Sequence, residues 1–263
     1  MLGSKRVFCA LLTAIILIAC SLPCQGCWWR EPKEKPALKE MPALVAPALM
    51  KKNVIDEEKL KKQLKIVHPV IPPGKQSRYQ LYITPHDPAV EALAGRIDGV
   101  QEAYREAVQW TWVSDQTLHG ESEKWLMPHE FLSDTPNYPS NPLRGNVVSD
   151  CEEQANTLVS LLRAEGISSE KVRAVLGKVK FEDGEGGHTW GEVWQNGEWL
   201  PLEATSGPYW DDDEEKLVAR GGAPFNYYAN HDYPVIEAWA YYNDIYYLDP
   251  RTRSGNAPDS WQP

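Results

Sequence analysis

Cys151 lies in a setting that could make its sulfur a nucleophile. The other four cysteines lie in the first 27 residues, so the rest of the chain holds a single thiol and no disulfide framework. Ser149 and Glu152 have the Ser-x-x-Glu spacing of a capping box, which predicts that a helix begins at Ser149. The free N–H groups and the dipole at a helix start favour a thiolate over a thiol. The alternative is a buried cysteine that only packs.

A thiol nucleophile needs a base and a third group that orients the base, and a predicted hairpin supplies both. His188 follows a glycine-rich stretch and begins one predicted strand, Asn196-Gly197 forms the turn, and Glu203 lies on the partner strand. When the strands are paired outward from the turn, His188 faces Thr205, and Glu203 lies two residues away on the same face. The spacing therefore predicts a carboxylate bonded to the imidazole.

The periodicity of the apolar residues around these side chains predicts an α+β domain, with helices first and antiparallel strands after them. The predicted helices cover residues 55–66, 88–114 and 149–164, and the predicted strands cover residues 172–179, 188–195, 199–204, 235–242 and 245–248. Residues 115–148 contain four prolines and are predicted to be a long, loop-rich connection. Long ordered connections are usually functional or binding segments.

Four segments resemble the transglutaminase-like superfamily, in the order SDCEEQANTLVSLLRAEGI, VRAVLGKV, GGHTWGEVW and EWLPLEATSG. The resemblance covers roughly residues 120–207. It implies a papain-like α+β fold in which N-terminal helices, one with the nucleophile at its start, pack on an antiparallel β-sheet. It also implies that Cys151 is the nucleophile, His188 the base and Glu203 the orienting acid of a catalytic triad.

One further residue takes a role from the same resemblance. Trp125, in KWLMPHEFL, resembles the tryptophan often found upstream of the nucleophile in this superfamily. This implies that its indole N–H helps to hold an oxyanion. The sequence departs from the usual pattern at two positions, because Thr189 replaces the usual Ala and Glu203 replaces the usual Asp.

The triad implies acyl transfer from an amide or peptide bond through a thioester, with protein, peptide or other amide substrates. Hydrolysis is favoured over transamidation, although the triad itself does not specify whether water or an amine is the acceptor. An alternative from another functional class is a catalytically silent module that binds a peptide or glycan at the cell surface, because a fold alone does not fix a function. In a third interpretation, Cys151 packs in a structural lipoprotein.

Several other classes of protein are disfavoured. The net charge is −10, and the part of the chain that is rich in Trp and Tyr has no Lys/Arg cluster, so we expect no nucleic-acid partner. The histidines and cysteines lack zinc-ligand spacing, and no Gly-rich phosphate loop is present, so we expect neither a metal nor a cofactor. The acidic run at residues 211–215 lacks the spacing of a calcium loop and is predicted to be a solvated loop.

The first 20 residues have the features of a lipoprotein signal peptide. Lys5 and Arg6 precede an apolar run over residues 7–19, which is too short to span a bilayer comfortably. The run ends in Leu-Ile-Ala-Cys, which resembles a bacterial lipobox and implies cleavage before Cys20 and lipid attachment to its sulfur. The alternatives are an ordinary secretory signal or an uncleaved anchor helix.

These features predict four parts of the chain: a signal peptide at 1–19, a lipid-anchored tether at 20–75, a catalytic domain at 76–255 and a tail at 256–263. The tether is rich in Pro, Lys and Glu, which is typical of an extended spacer. We therefore expect a domain held at the cell membrane by a lipid and facing outside the cytoplasm.

Overall fold

The computed structural model describes residues 56–67, 70–181 and 184–262. The predicted signal peptide, Cys20 and most of the predicted tether lie outside the described residues. Within these ranges, none of the helices combines the length and the apolar character needed to cross a membrane.

Short helices dominate the first part of the described chain. The α-helices of the described residues are α1 (Glu57–Val67), α2 (Pro88–Ala94), α3 (Gly99–Ala107), α4 (Asp115–His119) and α5 (Cys151–Ala164). The prediction of one long helix over 88–114 is wrong, because the chain leaves the helix at Gly95 and begins a new one after Asp98. Gly99 has a left-handed φ of 77°, which a continuous helix does not allow.

The strands form two sheets in the described part of the chain. They are β1 (Thr111–Trp112), β2 (Val148–Ser149), β3 (Val172–Phe181), β4 (Gly184–Gln195), β5 (Glu198–Leu202), β6 (Tyr209–Asp211), β7 (Lys216–Val218), β8 (Val235–Tyr242), β9 (Tyr247–Asp249) and β10 (Ser254–Gly255). The larger sheet is antiparallel and has the order β10-β9-β8-β3-β4-β5. The smaller sheet has the order β2-β1-β6-β7. This mixture of helices with an antiparallel sheet confirms the predicted α+β class.

Helix α5 positions the candidate nucleophile against the larger sheet. It packs on β3 and β4, and its residues Leu158, Leu161 and Leu162 are fully buried in the main core. The helix ends at Ala164, and Gly166 follows with a left-handed φ of 84°, as the sequence predicted. A second cluster, which includes Val175, Trp190 and Trp261, adds to the core around the same sheet.

The hairpin of β4 and β5 has the register that was predicted from its turn. Gln195 pairs with Glu198 and Trp194 with Trp199, and Asn196 adopts the left-handed conformation expected of a tight turn. Pairing ends at Gly191 and Leu202. Glu203 therefore lies just beyond the ladder, at the start of a short 3-10 helix over Ala204–Ser206.

Both ends of the described chain pack on the domain. The predicted helix near 55–66 is confirmed as α1, whose Leu60 and Leu64 are buried in the main core. Glu57 receives two hydrogen bonds from the Arg251 guanidinium, at 2.9 and 2.6 Å. Trp261 is fully buried. The packed part of the chain thus includes residues that the sequence assigned to a tether and a tail.

Candidate active site

Helix α5 places Cys151 at its first residue. The predicted capping box is wrong: Asp150 occupies the cap position without a side-chain cap bond, and the Ser149 hydroxyl donates to Glu153 at 2.8 Å instead. Ser149 cannot begin the helix because its backbone pairs with Trp112 in the smaller sheet. The helix therefore starts two residues later than predicted, and the thiol lies in its first turn.

The Cys151 thiol is held among acids. Its Sγ atom donates to Glu152 Oε2 at 3.0 Å, and the Thr189 N–H donates to the sulfur. Burial raises the pKa of Cys151 well above its ordinary value, and the charge of Asp150 raises it further. Burial and the charge of Asp150 therefore outweigh the stabilisation of a thiolate that the sequence predicted for a cysteine at a helix start.

His188 and Glu203 form a direct hydrogen bond. His188 Nε2 lies 2.8 Å from Glu203 Oε2, and neither residue is exposed to solvent. A carboxylate accepts, so Nε2 carries the proton and Nδ1 is left with a lone pair. The imidazole stacks on the Trp190 ring, tilted only 16° from it, and makes an edge-type contact with Phe181 at 80°. These contacts fix the ring plane and the tautomer together.

Glu203 is surrounded by donors. Oε1 accepts from the Thr205 N–H at 3.1 Å and from the Thr205 hydroxyl at 2.6 Å. Oε2 accepts from the Tyr233 hydroxyl at 2.6 Å as well as from His188. Burial acts to raise the pKa of Glu203, but the interaction with His188 and the hydroxyls of Thr205 and Tyr233 lower it below its ordinary value. Glu203 is therefore held as a carboxylate.

The Cys151 thiol and the His188 imidazole are not hydrogen-bonded to each other. The sulfur accepts from the backbone of Thr189, the residue after His188. His188 Nδ1 is buried and has no hydrogen-bond partner among the described residues. Catalytic hydrogen bonds are often unformed before substrate binds, so this geometry leaves Nδ1 available to take a proton.

Trp125 lies close to the same acids. Its indole N–H donates to Glu123 Oε1 at 2.8 Å, and its ring packs on Tyr82 with centroids 4.9 Å apart. The N–H of the next residue, Leu126, donates to Glu153 Oε1 at 2.7 Å. In this conformation the indole proton is used by Glu123, so the oxyanion role implied by the sequence stays a prediction.

Five carboxyl groups are buried near the start of α5: Asp115, Glu123, Asp150, Glu152 and Glu153. Burial raises the pKa of Asp115, Asp150 and Glu152 well above the ordinary range, and it raises the pKa of Glu153 to about 7. The charges of neighbouring acids add to the rise for Asp115, Asp150 and Glu152. Asp150 Oδ1 and Glu152 Oε1 are buried and have no hydrogen-bond partner among the described residues. We call these five residues the acid cluster.

A match to a known family covers the segment that carries this site. Residues 93–204 match the family model described as the transglutaminase-like superfamily. This segment is a transglutaminase-like domain. Among curated protein sequences, none matches this chain.

Solved structures of Legionella pneumophila LapG are similar to part of this chain. The calcium-bound LapG is 16% identical, with 79% of this chain and 96% of that chain covered and a TM-score of 0.41. The EGTA-treated LapG is also 16% identical, with 80% and 94% covered and a TM-score of 0.41. These identities are too low to transfer a function.

The acid cluster of the transglutaminase-like domain offers ligands for a cation. Carboxylate oxygens of Asp115, Asp150 and Glu153 lie within 4.8 Å of one another. Hard oxygen ligands of this kind suit Ca²⁺, and the unpartnered Asp150 Oδ1 fits an ion that would satisfy it. The sequence led us to expect no metal, whereas these residues fit one.

Sequence reasoning missed several members of this site. Asp115 and Glu123 come from the connection before α5, and no local pattern marks them as neighbours of the thiol. Tyr233 lies in a Tyr-rich stretch that the sequence suggests is either a cleft wall or a completion of the sheet, and no pattern linked it to the triad. By contrast, the acidic run was predicted to be a solvated loop, and its Asp213, Glu214 and Glu215 are exposed in the turn between β6 and β7.

Proposed function

We propose that the transglutaminase-like domain is a thiol enzyme that acts on amide or peptide bonds, with Cys151 as nucleophile, His188 as base and Glu203 as orienting acid. The observation that carries the proposal is the fully buried hydrogen bond between His188 Nε2 and Glu203. This bond leaves Nδ1 without a hydrogen-bond partner among the described residues. The next residue of β4, Thr189, donates its N–H to the Cys151 sulfur.

The chemistry follows from these atoms. His188 Nδ1 takes the thiol proton while Cys151 Sγ attacks the amide carbonyl, and His188 returns the proton to the departing amine. The resulting thioester is attacked by water, whose proton passes through His188 to the leaving sulfur. N–H groups in the first turn of α5 are suitable donors to the oxyanion of both steps. Glu203 keeps the imidazole tautomer and stabilises its charge.

We favour hydrolysis, with transamidation to an amine as the other outcome. The test is a screen of peptide and amide substrates with Cys151→Ala as the blank. Turnover that is lost in Cys151→Ala and in His188→Ala supports the proposal, and mass spectrometry of the products separates hydrolysis from transamidation. Turnover that survives in Cys151→Ala refutes the nucleophile.

We propose further that Asp115, Asp150 and Glu153 hold a divalent cation, with Ca²⁺ as the best chemical match to their oxygens. The bound ion would supply positive charge beside a thiol that is otherwise surrounded by acids. One of the similar LapG structures is described as calcium-bound. The proposal for this chain rests on its own buried carboxyl groups.

A catalytically silent binding module is the second candidate function. The Cys151 thiol is bonded to Glu152, its pKa is raised by burial, and no bond joins it to His188. Iodoacetamide separates the two candidates. Fast labelling of Cys151 at about pH 6 that is lost in His188→Ala supports the enzyme. Equally slow labelling of both proteins, together with unchanged ligand binding in Cys151→Ala, supports the module.

The membrane tether is a proposal from the sequence of residues 1–75. Lipid attachment at Cys20 would hold the domain outside the cytoplasm. Mass spectrometry of the mature amino terminus, with Cys20→Ser as the control, tests this proposal. An unmodified Cys20 in membrane-extracted protein would reject it.

A further inference from the structure

Tyr233 reaches the candidate triad from a separate part of the chain. It lies in the connection between β7 and β8, thirty residues after Glu203. Its hydroxyl donates to Glu203 Oε2 at 2.6 Å, the same oxygen that binds His188 at 2.8 Å. The carboxylate oxygen that faces the imidazole thus has two donors, and one of them has no part in proton transfer.

The Tyr233 ring is fixed by its neighbours. It packs on Trp190 with centroids 4.8 Å apart, and Trp190 in turn stacks on the His188 ring. Tyr228 makes an edge-type contact with Tyr233, with centroids 4.9 Å apart. Aromatic contacts of this kind hold a ring in one orientation, so the hydroxyl is directed at Glu203 rather than free to turn.

Glu203 needs such support more than an aspartate would. A glutamate side chain has one more rotatable bond than an aspartate, so more donors are needed to hold its carboxylate in one place. Thr205 holds Oε1 with two hydrogen bonds. We infer that Tyr233 is a positioning residue, which fixes the second oxygen of Glu203 so that the longer acid can orient His188. This inference rests on the proposed function of the triad.

The remaining polar groups near Glu203 do not replace the Tyr233 hydroxyl at Oε2. Tyr104 donates to the Glu203 backbone carbonyl at 3.3 Å, and Arg220 donates to the Thr205 carbonyl at 3.1 Å. Tyr228 lies within electrostatic range of Glu203. Burial acts to raise the pKa of Glu203, and the Tyr233 hydroxyl is one of the groups that lower it. Removal of this hydroxyl should therefore raise the pKa of Glu203.

The first test is Tyr233→Phe, which keeps the ring and removes the hydroxyl. We expect kcat to fall about tenfold with little change in KM, and the acid limb of the kcat profile to move up by about one pH unit, because a hydrogen bond to a charged group is lost. Tyr227→Phe is the matched control, since it removes a hydroxyl from the same connection, where Tyr227 stacks on His231. Equal profiles for Tyr233→Phe and the wild type would overturn the inference.

A double-mutant cycle separates positioning from general damage. If Tyr233 acts by holding the longer side chain of Glu203 in place, Tyr233→Phe should lower kcat much less in a Glu203→Asp background than in the wild type. The same loss in both backgrounds would show that Tyr233 acts elsewhere.

A readout that does not need catalysis keeps this inference distinct from the proposed function. Carbon NMR of the Glu203 carboxyl should show its pKa raised in Tyr233→Phe and unchanged in Tyr227→Phe. If Cys151→Ala retains turnover, the proposed function fails on its own. If the NMR titration of Glu203 is identical in both tyrosine variants, the role of Tyr233 fails whatever the activity shows.

Discussion

His188 binds Glu203 beyond the last paired residues of the hairpin that carries them. The ladder between β4 and β5 ends at Gly191 and Leu202, yet His188 Nε2 and Glu203 Oε2 are 2.8 Å apart. The short 3-10 helix after β5 makes this possible, because Glu203 caps it and turns its side chain to the Thr205 N–H. The acid is therefore held by a turn rather than by the sheet.

Glu203→Gln should lower kcat by on the order of 10³-fold, because the amide no longer fixes the imidazole tautomer or stabilises its charge. Glu203→Asp, which keeps the charge and shortens the side chain, should lose less. Steady-state kinetics on a substrate of the wild type measures both. Equal losses in the two variants would contradict a role that depends on the charge.

The stability of the protein should depend on Glu203 below about pH 4.5. The folded pKa of this carboxyl lies below the ordinary value of 4.5, so its ionised form stabilises the fold above that pH. The contribution is lost as the pH falls through the folded pKa. Urea unfolding from pH 6 to pH 3 should therefore show a steeper loss of unfolding free energy in the wild type than in Glu203→Gln. If the unfolding free energies of the two proteins fell in parallel with pH, the proposed contribution of the ionised Glu203 would be wrong.

Thr205→Val should destabilise the fold by about 2 kcal/mol, because it removes a hydroxyl that donates to a buried carboxylate. Thr205→Ser retains the hydroxyl and the backbone donor, and it should cost much less. The midpoint and slope of urea unfolding give the difference between the two variants. A serine variant as unstable as the valine variant would assign the effect to lost packing instead.

Removal of divalent cations should lower the stability of the domain. If the acid cluster binds Ca²⁺, excess Ca²⁺ over chelator should raise Tm by about 5 °C or more, since a ligand that binds only the folded state stabilises it. Asp150→Asn should abolish the shift. Asp213→Asn, in the exposed acidic turn, is the matched control and should retain it. A shift that persists in Asp150→Asn would place the ion elsewhere.

Helix α1 should behave as part of the folded domain. Leu60 is fully buried, so Leu60→Ala should cost about 3 kcal/mol of unfolding free energy through lost burial and the resulting cavity. Lys62→Ala changes an exposed position of the same helix and should change stability by less than about 0.5 kcal/mol. Thermal unfolding of both variants measures this. An unchanged Leu60→Ala protein would indicate that α1 does not pack on the domain in solution.

Local patterns predicted the elements that carry the triad. The Asn-Gly turn fixes the register of β4 and β5, and α5 ends where Gly166 requires it. The start of α5 was misplaced because the capping-box pattern does not show that Ser149 is engaged in a parallel strand pair with Trp112. Such pairing depends on residues 37 positions apart, which no local pattern contains.

The parts of the site that come from distant segments could not be predicted. Asp115 and Glu123 join Asp150 only because the connection before α5 folds back on the helix start. Tyr233 reaches Glu203 from the connection before β8. Composition marked both regions as aromatic-rich or loop-rich, but a single sequence does not reveal which of their side chains converge.

The burial of Trp261 has a practical consequence for handling the protein. Its indole N–H donates to the Glu170 carbonyl, and its own carbonyl accepts from Arg173, whose guanidinium also stacks on Trp199 and Tyr241. A purification tag fused directly after residue 263 would be separated from this anchored indole by only two residues. A flexible spacer before such a tag would keep it away from the buried indole, whereas a truncation that removes Trp261 would remove the anchor itself.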